Sequence, residues 1–171
     1  EITCRDWSSD VCSSDLYVWM SGNNAIKFQA GDSTIIDANG MGGATITRGA
    51  TAGNKYIVFP VTITGPLYGQ DVTVSALELY WIGDTDFTSI INIRIRRQTA
   101  PNAYAEILFD DTDRICEDSV QPNGCTVHLN LTTNNVLTEE SGILYIVVGL
   151  AFSGSTDWLQ IGGLRLTLEH Q

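Results

Sequence analysis

Hydrophobic and polar residues alternate in run after run from residue 56 to the end of the chain. Isoleucine alternates with asparagine and arginine over residues 91–96, and leucine with arginine, threonine and glutamate over residues 164–169. A period of two is typical of a strand that buries one face. Seven strand-like runs, separated by turns of Gly, Asp, Asn, Pro and Thr, predict an all-β fold, an antiparallel β-sandwich or jelly roll. The runs cover residues 56–63, 72–83, 89–99, 105–111, 126–132, 143–152 and 158–170.

Three of these runs carry local features that refine the prediction. Pro60 has no backbone N–H to donate, so its run is expected at a sheet edge or at a bulge. In the next run the hydrophobic parity switches at Ser75-Ala76, which predicts a bulge there. In residues 105–111, strict alternation predicts that Ile107 and Phe109 lie on the same side of the strand.

Residues 17–55 differ from the rest of the chain in composition and in hydrophobic pattern. Short β-prone triplets lie between glycines and asparagines, and few bulky residues are available for a core. We expect these residues to form a stalk-like, β-rich lead-in that contributes one or two strands. The sandwich domain itself is expected over residues 56–171.

The first 16 residues follow neither pattern. Residues 6–16, "DWSSDVCSSDL", resemble the translation of a common sequencing-library adapter, and Glu1-Ile2 fits the constant segment upstream of it. The resemblance implies that residues 1–16 are non-native and that the reading frame comes from assembled environmental reads. It also implies that the natural N-terminus is missing, so the lack of a signal peptide is uninformative. We expect this segment to contribute nothing to the core.

The chain is acidic, and this narrows the choice of partners. Its 171 residues carry 9 Lys and Arg against 20 Asp and Glu, for a net charge of −11. Residues 1–16 hold four of the acids and one of the bases, so the other 155 carry a net charge of −8. Such a surface is unsuited to nucleic-acid phosphates and to anionic lipid. The longest apolar run, residues 142–152, is too short to span a bilayer.

Two cysteines outside residues 1–16 bear on the cellular location of the protein. Cys116 and Cys125 flank Pro122-Asn123-Gly124, a turn signal that folds the chain back on itself. We expect them to form a disulfide in an oxidising compartment, and therefore an extracellular or cell-surface location. The alternative is a pair of free thiols in a cytosolic protein. A metal site would need more ligands than these two supply.

Aspartates in three loops form a candidate calcium site. If successive strands alternate in direction, these loops lie at one end of the sandwich, and clustered carboxylates supply the hard oxygen ligands that calcium takes. The alternative is that aspartate only caps and bends short turns. Apart from this calcium prediction, no cofactor is expected. The candidate ligands are Asp84, Asp86, Asp110, Asp111, Asp113 and Asp157.

Aromatic residues offer a second candidate site. Trp19, Tyr80, Tyr104 and Trp158 can stack on sugar rings. The candidate ligand contacts are Tyr80, which points away from the core-facing side of its run, and Trp158, which begins the last run beside the acidic end. Trp81 shares parity with the leucines of its run and is expected in the core. The alternative for any of these rings is burial in the core.

No pattern of a catalytic site is present. The only histidines are His128, in the middle of a strand-like run, and His170, next to the C-terminus. The sequence contains no G-x-S-x-G elbow, phosphate-binding loop or H-E-x-x-H motif. We therefore predict no enzyme, although two acids facing each other across a groove would leave a glycan-acting enzyme as a further alternative.

The run over residues 143–152 is apolar on both faces, which predicts that something covers its second face. One answer is the segment Ala25–Ile46 of the same chain. The other is a neighbouring subunit, because closed homo-oligomers commonly bury such patches. The second answer predicts a homotrimer with Tyr145 and Val147 near its contact surface.

The closing "GGLRLTLE" and the two-faced run before it resemble C-terminal β-sandwich heads of uncharacterised exported and phage-fibre-like bacterial proteins. This resemblance implies a head that follows a repetitive stalk in a trimeric fibre. The resulting prediction is a non-enzymatic extracellular structural or binding head, the tip of a larger protein, whose partner is a cell-surface glycan or protein. The alternative is a lectin-like carbohydrate-binding module, calcium-assisted if the aspartates bind metal.

Overall fold

Thirteen strands and one single-turn 3-10 helix, Gly22–Asn24, make up the regular structure of the computed structural model, which describes residues 16–62, 71–138 and 142–170. None of these residues forms a helix long and apolar enough to cross a membrane. The strands are β1 Leu16–Ser21, β2 Ile26–Lys27, β3 Ile35–Ala38, β4 Ala44–Thr47, β5 Lys55–Val61, β6 Val72–Gly83, β7 Ser89–Ala100, β8 Ala103–Asp110, β9 Arg114–Ile115, β10 Cys125–Asn130, β11 Val136–Leu137, β12 Ile143–Ala151 and β13 Trp158–His170.

The strands form two antiparallel sheets packed face to face. The first sheet has the order β10-β6-β13-β4-β3, with β1 also on β13 and β11 also on β6. The second sheet has the order β2-β5-β12-β7-β8, with β9 also on β7. Neighbours in each sheet are mostly distant in sequence, as in jelly-roll architectures. The predicted antiparallel β-sandwich is confirmed.

The core fills the space between the sheets, and the alternation read from the sequence accounts for it. Inward-facing residues alternate with outward-facing ones along β6, β7, β12 and β13, and bulges in β6, β7 and β13 shift this alternation by one residue. Trp81 is buried in this core, as predicted. The largest fully buried side chains are Phe59, Ile46, Ile57, Leu77, Leu79, Ile90, Ile93, Ile95, Ile146, Leu150, Leu159 and Ile161.

Two predicted irregularities are present. The register between β13 and β6 passes from Thr167 opposite Ala76 to Leu168 opposite Val74, so Ser75 is the extra residue of a bulge. Pro60 lies at an exposed sheet edge, because β2 pairs only with residues 57 and 58 of β5. The last residue of the predicted run, position 63, lies outside the described residues.

The alternation predicted for β8 is wrong after its midpoint. Glu106 faces Arg96 of β7, and Leu108 faces the adjacent Ile95, so Ile107 between them is the extra residue of a bulge. Ile107 is buried, whereas Phe109 points to the outer face and is exposed. The extra residue reverses the face of every later side chain in the strand.

Residues 17–55 contribute more to the sandwich than the one or two strands expected. They form β2, β3 and β4 and most of β1, and Ile46 is fully buried between the sheets. Strands of two to four residues are too short to display a period of two, so the sequence pattern could not reveal them. Residues 1–15 of the adapter-like segment lie outside the described residues, but Leu16, its last residue, begins β1 opposite Leu168.

The two-faced run forms β12, the central strand of the second sheet between β5 and β7. Val147, on its outer face, is only 2% exposed, and Tyr145 is half-buried. Phe28, Gln29 and Asp32 lie beside Val147, so the chain itself supplies the cover. Val147 is therefore not available as a subunit contact, and the predicted homotrimer is not supported.

Cys116 and Cys125 form the predicted disulfide, with their Cα atoms 5.9 Å apart. The bond closes the turn that carries Pro122, and Gly124 in that turn has a φ of 76°, a left-handed conformation that glycine adopts without strain. The loop is thus attached to the end of β6, where Gly83 N donates to Cys116 O.

Candidate functional site

A groove crosses the outer face of the second sheet. It consists of two adjoining depressions of about 310 and 670 Å³ that share Phe28 and Arg96. We call them together the outer groove. The outer groove is lined by Ile26, Lys27, Phe28, Gln29, Asp32, Asn54, Tyr56, Val58, Pro60, Arg94, Arg96, Gln98, Pro101, Asn102, Ala103, Tyr104, Ile143, Tyr145 and Val147.

Exposed apolar side chains line the outer groove. Phe28 is 44% exposed and Tyr104 53% exposed, and Ile143, on strand β12 between β2 and β8 in the sheet order, has most of its surface in solvent. The Phe28 ring contacts that of Tyr56 at 6.1 Å between centroids. Tyr145 rises from the central strand between them. Clustered exposed rings on a rigid sheet are typical of a binding surface rather than of a solvated face.

Two arginines of β7 lie over rings of β8. The Arg94 guanidinium carbon is 4.3 Å from the centroid of the Phe109 ring, and that of Arg96 is 4.1 Å from the centroid of Tyr104. The outward parity of β7, and the bulge that turns Phe109 outward, bring these groups together. Cation–π attraction stabilises contacts at such distances. Arg96 also donates from Nε to Glu106 at 3.3 Å.

A buried ion pair holds one wall of the outer groove. Lys55 Nζ, almost fully buried, donates to Asp32 Oδ1 at 2.8 Å and to Ser33 Oγ at 3.3 Å. Burial alone would raise the pKa of Asp32, but the hydrogen bonds from Lys55 and from the Thr34 backbone outweigh it and lower that pKa. Asp32 therefore carries a charge that Lys55 compensates, and the segment after Phe28 is tied to β5.

The predicted ligand residues Tyr80 and Trp158 lie elsewhere, but the structure does bring them together. Both line a depression of about 410 Å³ at the first sheet, beside the disulfide loop. The Tyr80 ring stacks on Trp19 at 5.9 Å, and its hydroxyl donates to Glu78 Oε2 at 2.6 Å. The fourth candidate ring, Tyr104, lies on the opposite face of the sandwich, so the aromatic set is divided between the two sheets.

Glu78 is the centre of a polar network on the outer face of the first sheet. Besides accepting from the Tyr80 hydroxyl, Glu78 pairs with Arg165 and contacts His128, whose Nε2 lies 2.6 Å from Glu78 Oε1. These partners hold the pKa of Glu78 below its usual value, with the Tyr80 hydrogen bond the largest cause and burial opposing it. The same hydrogen bond raises the pKa of Tyr80. Both oxygens of the Glu78 carboxylate are therefore engaged, while Arg165 Nε is buried without a hydrogen-bond partner.

The loops that carry the candidate calcium ligands do lie at one end of the sandwich, since Asp84 N donates to Trp158 O and Ser89 pairs with both Ile115 and Ala151. Their carboxylates have other partners: Asp84 accepts from Thr88, Asp110 from Arg114 at 2.7 Å, and Asp157 from the Gly154 backbone. Among the described residues no three Asp, Glu, His or Cys side chains are grouped as a metal ion requires. The calcium site stays a prediction that rests on the sequence alone.

Among the described residues that line the outer groove, Asp32 is the one carboxylate, and it is paired with Lys55. Glycoside cleavage ordinarily needs two carboxyl groups facing the same bond. What the outer groove does offer is ring faces, amide groups and guanidinium donors along one path.

Sequence reasoning missed most of this site. The outward direction of Arg94 and Arg96 follows from the alternation in β7, and that signal alone pointed to this face. Phe28 follows a two-residue strand that no periodicity can reveal, and Phe109 faces outward only because of the bulge. Tyr145 was assigned to the correct face but to a subunit contact.

The sandwich is similar in fold to several solved structures, although no protein-family model and no curated protein matches the chain. CBM29_1, a family 29 carbohydrate binding module from Piromyces equi, has 8% identity and a TM-score of 0.49, over 92% of this chain and 91% of that one. The CBM36-1 domain of a multidomain xylanase from the hindgut metagenome of Trinervitermes trinervoides has 10% identity and a TM-score of 0.48, over 88% and 96%. A CBM4 structure has 15% identity and a TM-score of 0.47, over 91% and 94%. These likenesses concern the fold.

Proposed function

We propose that the protein is a non-catalytic glycan-binding module whose outer groove holds a chain of sugar residues. The observation that carries the proposal is a row of rings in one groove, the exposed Phe28 and Tyr104 and the half-buried Tyr145, set among polar side chains. A pyranose presents an apolar C–H face and a rim of hydroxyls. A ring face next to amide and guanidinium donors complements both.

The dimensions of the outer groove favour a short stretch of polymer over a single sugar. The lining residues come from all five strands of the sheet path β2-β5-β12-β7-β8. Four gaps between strands span about 19 Å, roughly the length of four linked pyranose units of about 5 Å each. This reading favours the carbohydrate-binding alternative over a purely structural fibre head, and the disulfide supports an extracellular location.

The size of the effect of one ring follows from its exposure. About half of the Tyr104 surface is in solvent. A tyrosine side chain buries roughly 200 Å² in full, so a sugar that covers half of the exposed part removes about 50 Å² from water, worth about 1.3 kcal/mol. Tyr104→Ala should therefore weaken glycan binding about tenfold.

A glycan array followed by calorimetry on the best polymer tests the proposal. Tyr104→Ala and Phe28→Ala should each lose binding. Phe87→Ala is the matched control, because Phe87 is 65% exposed but does not line the outer groove. Trp158→Ala tests the depression at the first sheet and should have no effect.

Each contrary result has its own meaning. Saturable binding that is lost in Trp158→Ala but kept in Tyr104→Ala would move the site to the first sheet. Absence of saturable binding to any glycan would overturn the proposal. Release of new reducing ends from a bound polymer would contradict the non-catalytic part.

A further inference from the structure

The outer groove reverses the charge balance of the chain. Asp and Glu outnumber Lys and Arg by 20 to 9 in the whole sequence. The residues that line the outer groove include three bases, Lys27, Arg94 and Arg96, and one acid, Asp32, which Lys55 neutralises from behind. A positive groove in an acidic protein favours a ligand that carries negative charge.

Arg94 is the group that such a ligand would meet. Arg96, Arg114 and Arg165 each hold a carboxylate, on Glu106, Asp110 and Glu78 respectively. Arg94 takes part in no ion pair within the described part of the chain, and its Nε is buried without a hydrogen-bond partner. Its guanidinium lies over the Phe109 ring. Because no carboxylate of the described residues pairs with it, the charge of Arg94 remains available to a ligand.

The contact with Phe109 leaves Arg94 able to donate. A ring that attracts a guanidinium through its charge does not pair with its N–H groups as a carboxylate would. Two parallel N–H groups match the two oxygens of an anionic group, in a charge-assisted bidentate pair. Arg94 lines the same depression as Phe28 and Tyr56, so the anionic group and the sugar ring that bears it would be held side by side.

We propose that the outer groove selects anionic glycans and that Arg94 binds the carboxylate or sulfate group of one sugar residue. The inference rests on the proposed glycan-binding function and adds the chemical class of the ligand. Arg96 contributes less to binding the anionic group, because its Nε already donates to Glu106. The net charge of the protein opposes the approach of a polyanion, but exposed charges more than about 8 Å away are screened at physiological salt.

Two matched pairs of polymers separate charge from sugar shape. Polygalacturonate is compared with its fully methyl-esterified form, and dextran sulfate with dextran, by calorimetry in about 0.15 M NaCl. The wild type should bind one acidic member at least tenfold more tightly than its neutral partner. The pair that shows the preference identifies the anion as carboxylate or sulfate.

Variants assign the preference to Arg94. Arg94→Gln should reduce the affinity for the acidic polymer at least tenfold more than it reduces the affinity for the neutral partner, while Arg94→Lys, which keeps the charge without the planar fork, should fall between wild type and Arg94→Gln. Arg114→Gln removes the same charge outside the outer groove and should change little. Thermal unfolding checks that each variant is folded.

The outcomes distinguish the two proposals. Equal affinity for acidic and neutral polymers, with a loss in Tyr104→Ala, would overturn the anionic specificity and keep glycan binding. An acidic preference that survives Arg94→Gln would overturn the assignment to Arg94. No binding to any glycan, on the array or among these four polymers, would overturn glycan binding and this inference with it.

Discussion

Replacing Lys55 with methionine tests the buried ion pair behind the groove wall. Lys55 is 3% exposed, and its ammonium lies 2.8 Å from Asp32 Oδ1, whose side chain is 15% exposed. Methionine keeps most of the aliphatic stem but removes the charge. Lys55→Met therefore leaves a largely buried carboxylate without its counter-charge.

The cost can be bounded from the geometry. Unit charges 2.8 Å apart attract by about 6 kcal/mol at an effective dielectric constant of about 20, before the cost of desolvation is subtracted. Removing one partner of a buried pair costs about 3–5 kcal/mol, and the residual exposure of Asp32 places this pair at the lower end, about 3 kcal/mol. With a urea m-value of about 2 kcal/mol/M, the unfolding midpoint should fall by about 1.5 M.

Urea unfolding at pH 7 measures this, and a double variant isolates the cause. Lys55→Met with Asp32→Asn should recover about 1–2 kcal/mol, because the asparagine oxygen can still accept from Thr34 N while no buried charge remains. The lowered pKa of Asp32 means that the pair stabilises the fold above about pH 4 and loses its contribution as the pH falls through the folded-state pKa. The difference between wild type and Lys55→Met should therefore shrink below that pH. A loss under about 1 kcal/mol at pH 7, or a double variant less stable than the single one, would refute the reasoning.

Three further predictions concern stability, each measured by urea unfolding. Replacing both disulfide cysteines with serine should lower the free energy of unfolding by about 2.5 kcal/mol, because they close a loop with a sequence separation of 9; an unchanged midpoint would contradict this. The lowered pKa of Glu78 means that the ionised carboxylate stabilises the fold above its unfolded pKa near 4.5 and that this stabilisation is lost as the pH falls. Glu78→Gln should therefore flatten the decline in stability between about pH 5 and pH 3. A decline as steep as that of the wild type would count against the network. Gly149→Ala should cost about 1–3 kcal/mol, since a Cβ would come within 2.6 Å of the Asn92 amide; a neutral effect would mean that this side chain moves aside freely.

The sequence by itself determined the fold class, much of the core and the disulfide. A period of two needs only local information, since each strand of the sandwich buries one face, and β6, β7 and β13 show it in stretches separated by bulges. The bulge at Ser75 was visible for the same reason, because the hydrophobic parity changes there. The disulfide followed from a turn that returns the chain to its own start.

Only the tertiary structure decided where the outer groove lies. The outer groove is assembled from strands far apart in sequence, so no local pattern could indicate that Phe28, Arg94 and Tyr104 share one face. The bulge at Ile107 turns Phe109 outward under Arg94, although strict alternation had placed it with Ile107. The sequence likewise showed that Val147 is apolar, but the side chains beside it come from a segment distant in sequence. Alternation reports only that a face is apolar or polar, whereas the partner of that face is decided by which strands pair and by single inserted residues that reverse the side chains after them.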